Sequence, residues 1–387
     1  MAHDRLPASI EQVAAVDFLY DLVSDYRRRN GRAPVELSHW DPSAGIIHKF
    51  QGRLGPLPLG EPFHYRYSFE SDLRQTILAK LGYSACERRI LLTENGTNAV
   101  LAVANALALI GVRNVVLLSP SYFATEYALR RCGISVRRAY WQRNKGIFTL
   151  PPLRVVAGEA LWAESPIFGT GVSADQLLSP VVRRVVDEGH AVVLDRSLEV
   201  DAGELAVAVQ ESPTFFTVHA PHKTVCVNGM KFGAATFHTT HYDSFDHWAD
   251  VLAGGLSLSA EAASRHFSST AFDRYYESMA EYVSAAASSV EGVVRRFNPH
   301  IQIDVDCVGY WRTIYAPEVP AEKGNDREWL KWLVERTGAV PIPGLWTSCS
   351  REWGFCFRVN LLRYDSSFKG ALHRLVRALA EEKPGQR

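Results

Sequence analysis

Lys223, Asp195 and the run Thr93-Glu94-Asn95-Gly96-Thr97 each fall just past a short apolar run, and they bring three different chemistries. A lysine amine can add to a carbonyl carbon and later carry a proton. A carboxylate at a strand end can hold a protonated nitrogen, and its own charge is tuned by burial. Gly96 and Thr97 open a helix that continues through Val100, Val103 and Leu107, and amides with a hydroxyl at such a helix start can hold a phosphate. Each also has an ordinary reading: a surface lysine, a structural carboxylate, a plain helix cap. Lysine is scarce in this chain, which weighs against the first of these.

Bringing such groups together requires a sheet whose strand ends meet. The unalternated apolar runs Ile90 to Leu92, Val115 to Leu118, Ile134 to Val136, Ala160 to Trp162, Ala191 to Leu194 and Phe215 to Val218 are separated by helical stretches. Strands of that kind are buried on both faces of a mostly parallel sheet, whose ligands bind outside the carboxyl ends of the strands. Ahead of them, Ile10, Val13, Phe18, Leu22 and Tyr26 recur at helical spacing with Asn30-Gly31 as a stop, and a loop with Pro34, Pro42, Pro56, Pro58 and Pro62 follows. From about Leu258 to Phe297 an Ala-, Ser- and Val-rich stretch without proline reads as a long helix, with room for one break, bridging two domains. Alternation from Ile301 to Val305, a helix near Trp329 to Val334, a strand from Phe355 to Leu361 and a final helix to about Glu382 complete the chain. The expected fold class is α/β: a large domain with a mostly parallel sheet and a smaller α+β C-terminal domain.

Composition narrows the function. A chain of 387 residues, 47% hydrophobic and 22% charged, is a globular protein with room for one large domain and one smaller. Lys+Arg and Asp+Glu are 42 each, without a basic run, so neither nucleic acid nor an anionic membrane is expected as a partner. The six scattered cysteines show no C-x-x-C or zinc-type spacing and read as reduced thiols, with no metal. The N-terminus precedes no apolar signal core, and eighteen consecutive apolar residues occur nowhere, so the expected location is cytoplasmic. No G-x-G-x-x-G follows a strand, which argues against a nicotinamide cofactor.

Taken in order along the chain, Thr93 to Thr97, Ser119-Pro120-Ser121-Tyr122, Ser165-Pro166-Ile167-Phe168-Gly169-Thr170-Gly171, Asp195, Lys223 through Gly233 and Phe357-Arg358-Val359 resemble the class I/II aminotransferase family. These are fold-type I enzymes that use pyridoxal 5'-phosphate (PLP). The resemblance implies a Schiff base on Lys223, an Asp195 that pairs with the pyridine nitrogen, and a Tyr122 that stacks on the cofactor ring, although core packing would also account for Tyr122. It implies that Asn95, Gly96 and Thr97 hold the phosphate. Lys231, in a Lys-x7-Lys-x-Gly pattern, stands in the family's phosphate-binding arginine position, with charge but no bidentate fork. Tyr65 falls where a partner-subunit tyrosine reaches the phosphate, and His39 and Trp40 fall in the substrate-side loop. Arg358 matches the arginine that clamps a substrate α-carboxylate; a structural salt bridge is the alternative. The resemblance further implies a homodimer acting on a small amino-acid substrate. It assigns residues 1–45 to a helix and arm packing on the small domain, 46–289 to the PLP-binding domain and 290–387 to the small domain.

The sequence also departs from the family. Phe168 stands where the family's asparagine donates to the cofactor's 3'-oxygen, and Leu198 where a tyrosine shares that task. Without them the 3'-oxygen leans on the imine proton, so the Schiff base stays protonated at neutral pH. The lysine lies in His219-Ala220-Pro221-His222-Lys223, and His222 could stack on the ring, touch phosphate, relay a proton, or be an exposed loop residue. These departures favour an enzyme that forms an external aldimine with an α-amino acid and diverts the Cα carbanion to elimination, replacement, cyclisation or carbon-carbon bond formation in specialised metabolism. The alternative is an ordinary aminotransferase. A regulator's effector domain is disfavoured, because only about forty residues precede the fold, without a second helix or a basic face.

Overall fold

The computed structural model describes residues 8–55, 71–84, 86–144, 146–248 and 255–382. Seven strands form the larger sheet: β1 (Arg88–Thr93), β2 (Asn114–Ser119), β3 (Ser135–Tyr140), β4 (Glu159–Glu164), β5 (Ala191–Asp195), β6 (Phe215–His219) and β7 (Gly233–His238). Their spatial order is β1-β7-β6-β5-β4-β2-β3. Every pairing is parallel except those of β7, which runs antiparallel to β1 and β6. The unalternated runs arise because both faces are covered. Val192, Leu194 and Phe215 join one apolar cluster, while Val193, Phe216 and Val218 join another with the Ala-rich helix Gly96–Leu109.

The expected strands are present, with informative differences. The run read as Ile134 to Val136 is β3, an edge strand, which accounts for the exposed Arg137 and the half-buried Arg138, paired with Glu126, in its middle. β7 went unread because Gly233-Ala234-Ala235 carries little β-propensity. The long helical stretch breaks once, between Leu258–Phe267 and Thr270–Val294, where Ser268 ends one helix and Ser269 starts the next.

A second sheet is built from β8 (Gln302–Ile303), β9 (Trp311–Ala316), β10 (Ile342–Pro343) and β11 (Phe355–Asn360), in the order β8-β9-β11-β10 and antiparallel throughout. The alternation from Ile301 to Val305 yields only the two-residue β8, because Asp304 is drawn out to Arg143 and Tyr315. β9 was not foreseen.

The N-terminal arm is stitched to this second sheet. Val35–Glu36 pairs in parallel with Ala339–Val340, the amide of Asn360 donates to Leu37 O at 2.9 Å, and Ser38 Oγ accepts from the amide of Ile342 at 3.1 Å. Leu22 and Tyr26 of the first helix bury against Val334 and Val340. The loop after β4 is gripped from the other side, since Thr313 Oγ1 donates to Gly169 O at 2.9 Å and the amide of Val308 donates to Gly171 O at 2.7 Å. Gly171 is required there: at φ +80°, a Cβ would lie 2.7 Å from the carbonyl oxygens of Val308 and Trp311. A cleft is left at the carboxyl ends of β4 and β5, roofed by the arm. Among the described residues, no helix is long and apolar enough to cross a membrane.

Candidate active site

Trp40, Tyr122, Glu164, Pro166, Phe168, Asp195, Ser197, Leu198 and Lys223 line this cleft. Lys223 sits on the short helical turn Pro221–Thr224 after β6, and its Nζ stands 4.3 Å from the centroid of the Tyr122 ring. Tyr122 is fixed at both ends, its hydroxyl 3.0 Å from Thr97 Oγ1 and its amide donating to Glu164 Oε1. Its ring therefore forms a flat shelf over the lysine amine.

Asp195 ends β5 and is buried, with Oδ1 accepting the Ser197 amide at 2.8 Å. Burial pushes its pKa up; hydrogen bonds from Ser197 and the charge of Lys223 hold it back. Such a carboxylate is strongly favoured by a cation placed in the cleft.

The helix Gly96–Leu109 starts beside the amine. A Cβ on Gly96 would lie 3.0 Å from Ala220 Cβ and 3.9 Å from Lys223 Nζ. The Asn95 side chain caps the helix by accepting from the Asn98 amide at 3.1 Å, so what this turn offers a ligand is the amides of its first residues and the Thr97 hydroxyl. Lys231 is exposed, two residues before Gly233. Gly233 explains the Lys-x-Gly pattern: a Cβ there would lie 2.3 Å from Asn95 O and 2.7 Å from the Gly96 nitrogen. Gly233→Ala should push the helix start out of place and cost on the order of 1–3 kcal/mol, read as a lowered Tm.

Across the cleft, β11 delivers Arg358, paired in register with Thr313 and Ile342. Its guanidinium lies 4.3 Å from the Trp40 ring centroid, 4.7 Å from Trp311 and 5.8 Å from Phe168. Arg358 is 5% exposed, its Nε has no hydrogen-bond partner, and among the described residues no carboxylate pairs with it. Burial lowers its pKa to about 10, so it is still a cation at neutral pH. No salt bridge among the described residues accounts for it, and a buried cation among aromatic faces is a group whose charge an anion would compensate.

Trp40 reaches this position because Asn360 Nδ2 donates to the carbonyls of His39 and Trp40, at 2.9 and 3.4 Å. His39 itself does not line the cleft; its ring lies between Glu36 and Asp41, 3.9 and 3.8 Å from their carboxylates. A substrate-binding role for His39 is therefore corrected to a place in the arm.

His222 is corrected too, being neither at the cleft nor exposed. It is buried among Phe232, Phe272 and His266, with Nε2 3.3 Å from His266 Nδ1. On a helical turn successive side chains point about 100° apart, so Lys223 facing the cleft turns its neighbour into the core. Burial first, then His266, lowers its pKa to about 3, and it is neutral. His219 belongs to a buried network with Tyr83 and Thr217, at 3.1 and 3.0 Å. Phe168 and Leu198 do line the cleft. Tyr65 lies outside the described residues.

Three contributors were missed in the sequence. Glu164 ends β4 as Asp195 ends β5, so the same signal, an acid just past an apolar run, could have found it. Ser197 follows Asp195 by two residues. Trp311 opens a strand that was not read at all.

Comparison of the structure with solved structures shows the fold. Thermus thermophilus aspartate aminotransferase with maleate aligns with a TM-score of 0.73 at 18% identity, covering 95% of this chain and 98% of that one. N-succinyldiaminopimelate aminotransferase from Mycobacterium tuberculosis gives 0.70 at 18% identity, covering 93% and 96%. Bna3p from Saccharomyces cerevisiae gives 0.74 at 15% identity, covering 94% and 95%. No protein-family model and no curated protein matches the sequence. The chain therefore folds as these aminotransferases do, over nearly its whole length.

Proposed function

We propose that this protein is a PLP-dependent enzyme acting on an α-amino acid. The observation that carries the reading is the pairing, in one cleft, of the Lys223 amine under the Tyr122 shelf with the buried cation of Arg358, whose Nε has no hydrogen-bond partner and which has no carboxylate partner among the described residues. The residues fit the cofactor. The start of the helix Gly96–Leu109 and Lys231 would hold its phosphate, Asp195 its ring nitrogen, Tyr122 one ring face, and Lys223 its carbonyl carbon. Bound there, PLP supplies an electron sink for the bonds at a substrate's Cα.

The chain's own residues supply the rest. Arg358 takes the substrate carboxylate in a bidentate grip and so fixes which Cα bond faces Lys223. The Lys223 amine, freed on substrate binding, carries a proton to or from Cα. Trp40, Phe168 and Trp311 exclude water from the guanidinium and strengthen its hold.

Phe168 and Leu198 leave the cleft without two polar donors, which supports elimination, replacement, ring closure or carbon-carbon bond formation over net amino transfer. The aminotransferase fold keeps amino transfer as the second reading. A single incubation separates them: a transaminase given an amino donor alone converts one equivalent of PLP to pyridoxamine phosphate and stops. The proposed enzyme turns over its substrate and retains PLP. Accumulation of pyridoxamine phosphate with every substrate consumed would sink the first reading.

A further inference from the structure

Two buried carboxyls, not one, stand on the floor of the cleft. Glu164 and Asp195 are register partners on the neighbouring parallel strands β4 and β5, so their side chains leave the sheet on the same side. Both line the cleft, at 6% and 4% exposure. Their donors are unequal. Asp195 takes both a backbone hydrogen bond, at 2.8 Å, and a side-chain hydrogen bond from Ser197, whereas Glu164 takes a backbone amide from Tyr122. Lys223, from the turn after β6, acts on both carboxyls. Arg196 does not compensate, because its guanidinium is turned to Asp175 at 2.7 Å. Two like charges confined to one buried site cannot both be kept without large cost, so one carboxyl takes a proton.

We propose that Glu164 keeps its proton in the folded protein, so that the pair presents one negative charge to the cleft, carried by Asp195. Burial first, then the charge of Asp195, pushes the Glu164 pKa well above the ordinary carboxylate range. Glu164 is then a positioning residue: a neutral carboxyl whose oxygen holds the Tyr122 amide, and with it the shelf over Lys223, without adding charge. That one charge suits a single protonated ring nitrogen, a consequence that rests on the proposed PLP chemistry. The proton itself does not, and its test needs no cofactor.

The test is made on the cofactor-free full-length chain. Infrared difference spectra of wild type against Glu164→Gln at neutral pH should show a protonated-carboxyl stretch that the substitution removes. In Asp195→Asn the titration of that band should move to lower pH.

Stability gives an independent readout. An unfolded Glu ionises near ~4.3. With the folded pKa raised, the native state holds a proton that the unfolded state releases, so wild-type stability falls as pH rises above that point and levels off beyond the folded pKa. Glutamine removes this loss. The Tm of Glu164→Gln minus that of wild type should climb by about 2 °C or more between about pH 5 and pH 8. A missing band in wild type, a titration unmoved by Asp195→Asn, or a Tm difference flat with pH would each overturn the proposal. Failure of PLP binding would leave it standing.

Discussion

Lys223→Ala is expected to give a folded protein that no longer fixes PLP upon borohydride reduction and whose turnover falls on the order of 10⁴-fold or more. Removing a nucleophile that also carries the proton takes away two steps at once, and losses of that size are characteristic of such a residue. The fold should survive, because the amine projects into the cleft against the Tyr122 ring rather than into the core; the local cost falls on Asp195, which loses the cation that favours its charge. Two measurements check this. Absorbance before and after borohydride reports the attachment, and the mass of the proteolytic peptide bearing residue 223 locates it. A wild-type protein that takes up PLP but is modified at another lysine, or a Lys223→Ala protein still modified at full stoichiometry, would remove Lys223 from the chemistry.

The second large effect has opposite signs for function and stability. Arg358→Met should lower kcat/KM for a carboxylate-bearing substrate by on the order of 10²–10³, since loss of one partner of a buried charge pair costs about 2–5 kcal/mol. The loss should appear mainly in KM. The same substitution should raise the Tm of the free protein. Burial depresses the folded pKa of Arg358 to about 10, below its unfolded value, so at neutral pH, under both values, the full cost of holding this cation without an anion is present. Methionine replaces the guanidinium's cation–π contacts with Trp40 and Trp311 by apolar packing and removes that cost. Arg358→Lys should not rescue binding, because an ammonium lacks the planar fork. Substrate affinity should fall in wild type as pH rises through about 10 and show no such limb in Arg358→Met. A lower Tm together with unchanged KM would mean that the guanidinium is structural.

The parallel sheet was legible because a strand buried on both faces must be apolar without alternation, as Ala191 to Leu194 and Phe215 to Val218 are. Lys223, Asp195 and the Asn95-Gly96-Thr97 turn were legible for a related reason: residues just past such runs sit at the carboxyl edge of the sheet, whatever the loops do. Arg358 stood out as a lone cation in the apolar strand Phe355-Cys356-Phe357-Arg358-Val359. These are local signals, set by burial and periodicity, and the sequence alone determines them.

Tertiary structure decided what depends on partners distant in the chain. That Arg358 has no carboxylate among the described residues, and has Trp40, Trp311 and Phe168 in its place, follows from an arm, a small-sheet strand and a large-sheet loop meeting at one point. That His222 faces the core while Lys223 faces the cleft depends on the phase of a single helical turn, and one residue of phase reverses the outcome. Glu164 joins Asp195 only through strand register, which sequence spacing cannot supply. Apolar runs are dictated by the solvent each residue avoids, whereas the charge state and orientation of a polar side chain are dictated by the neighbours that folding brings to it.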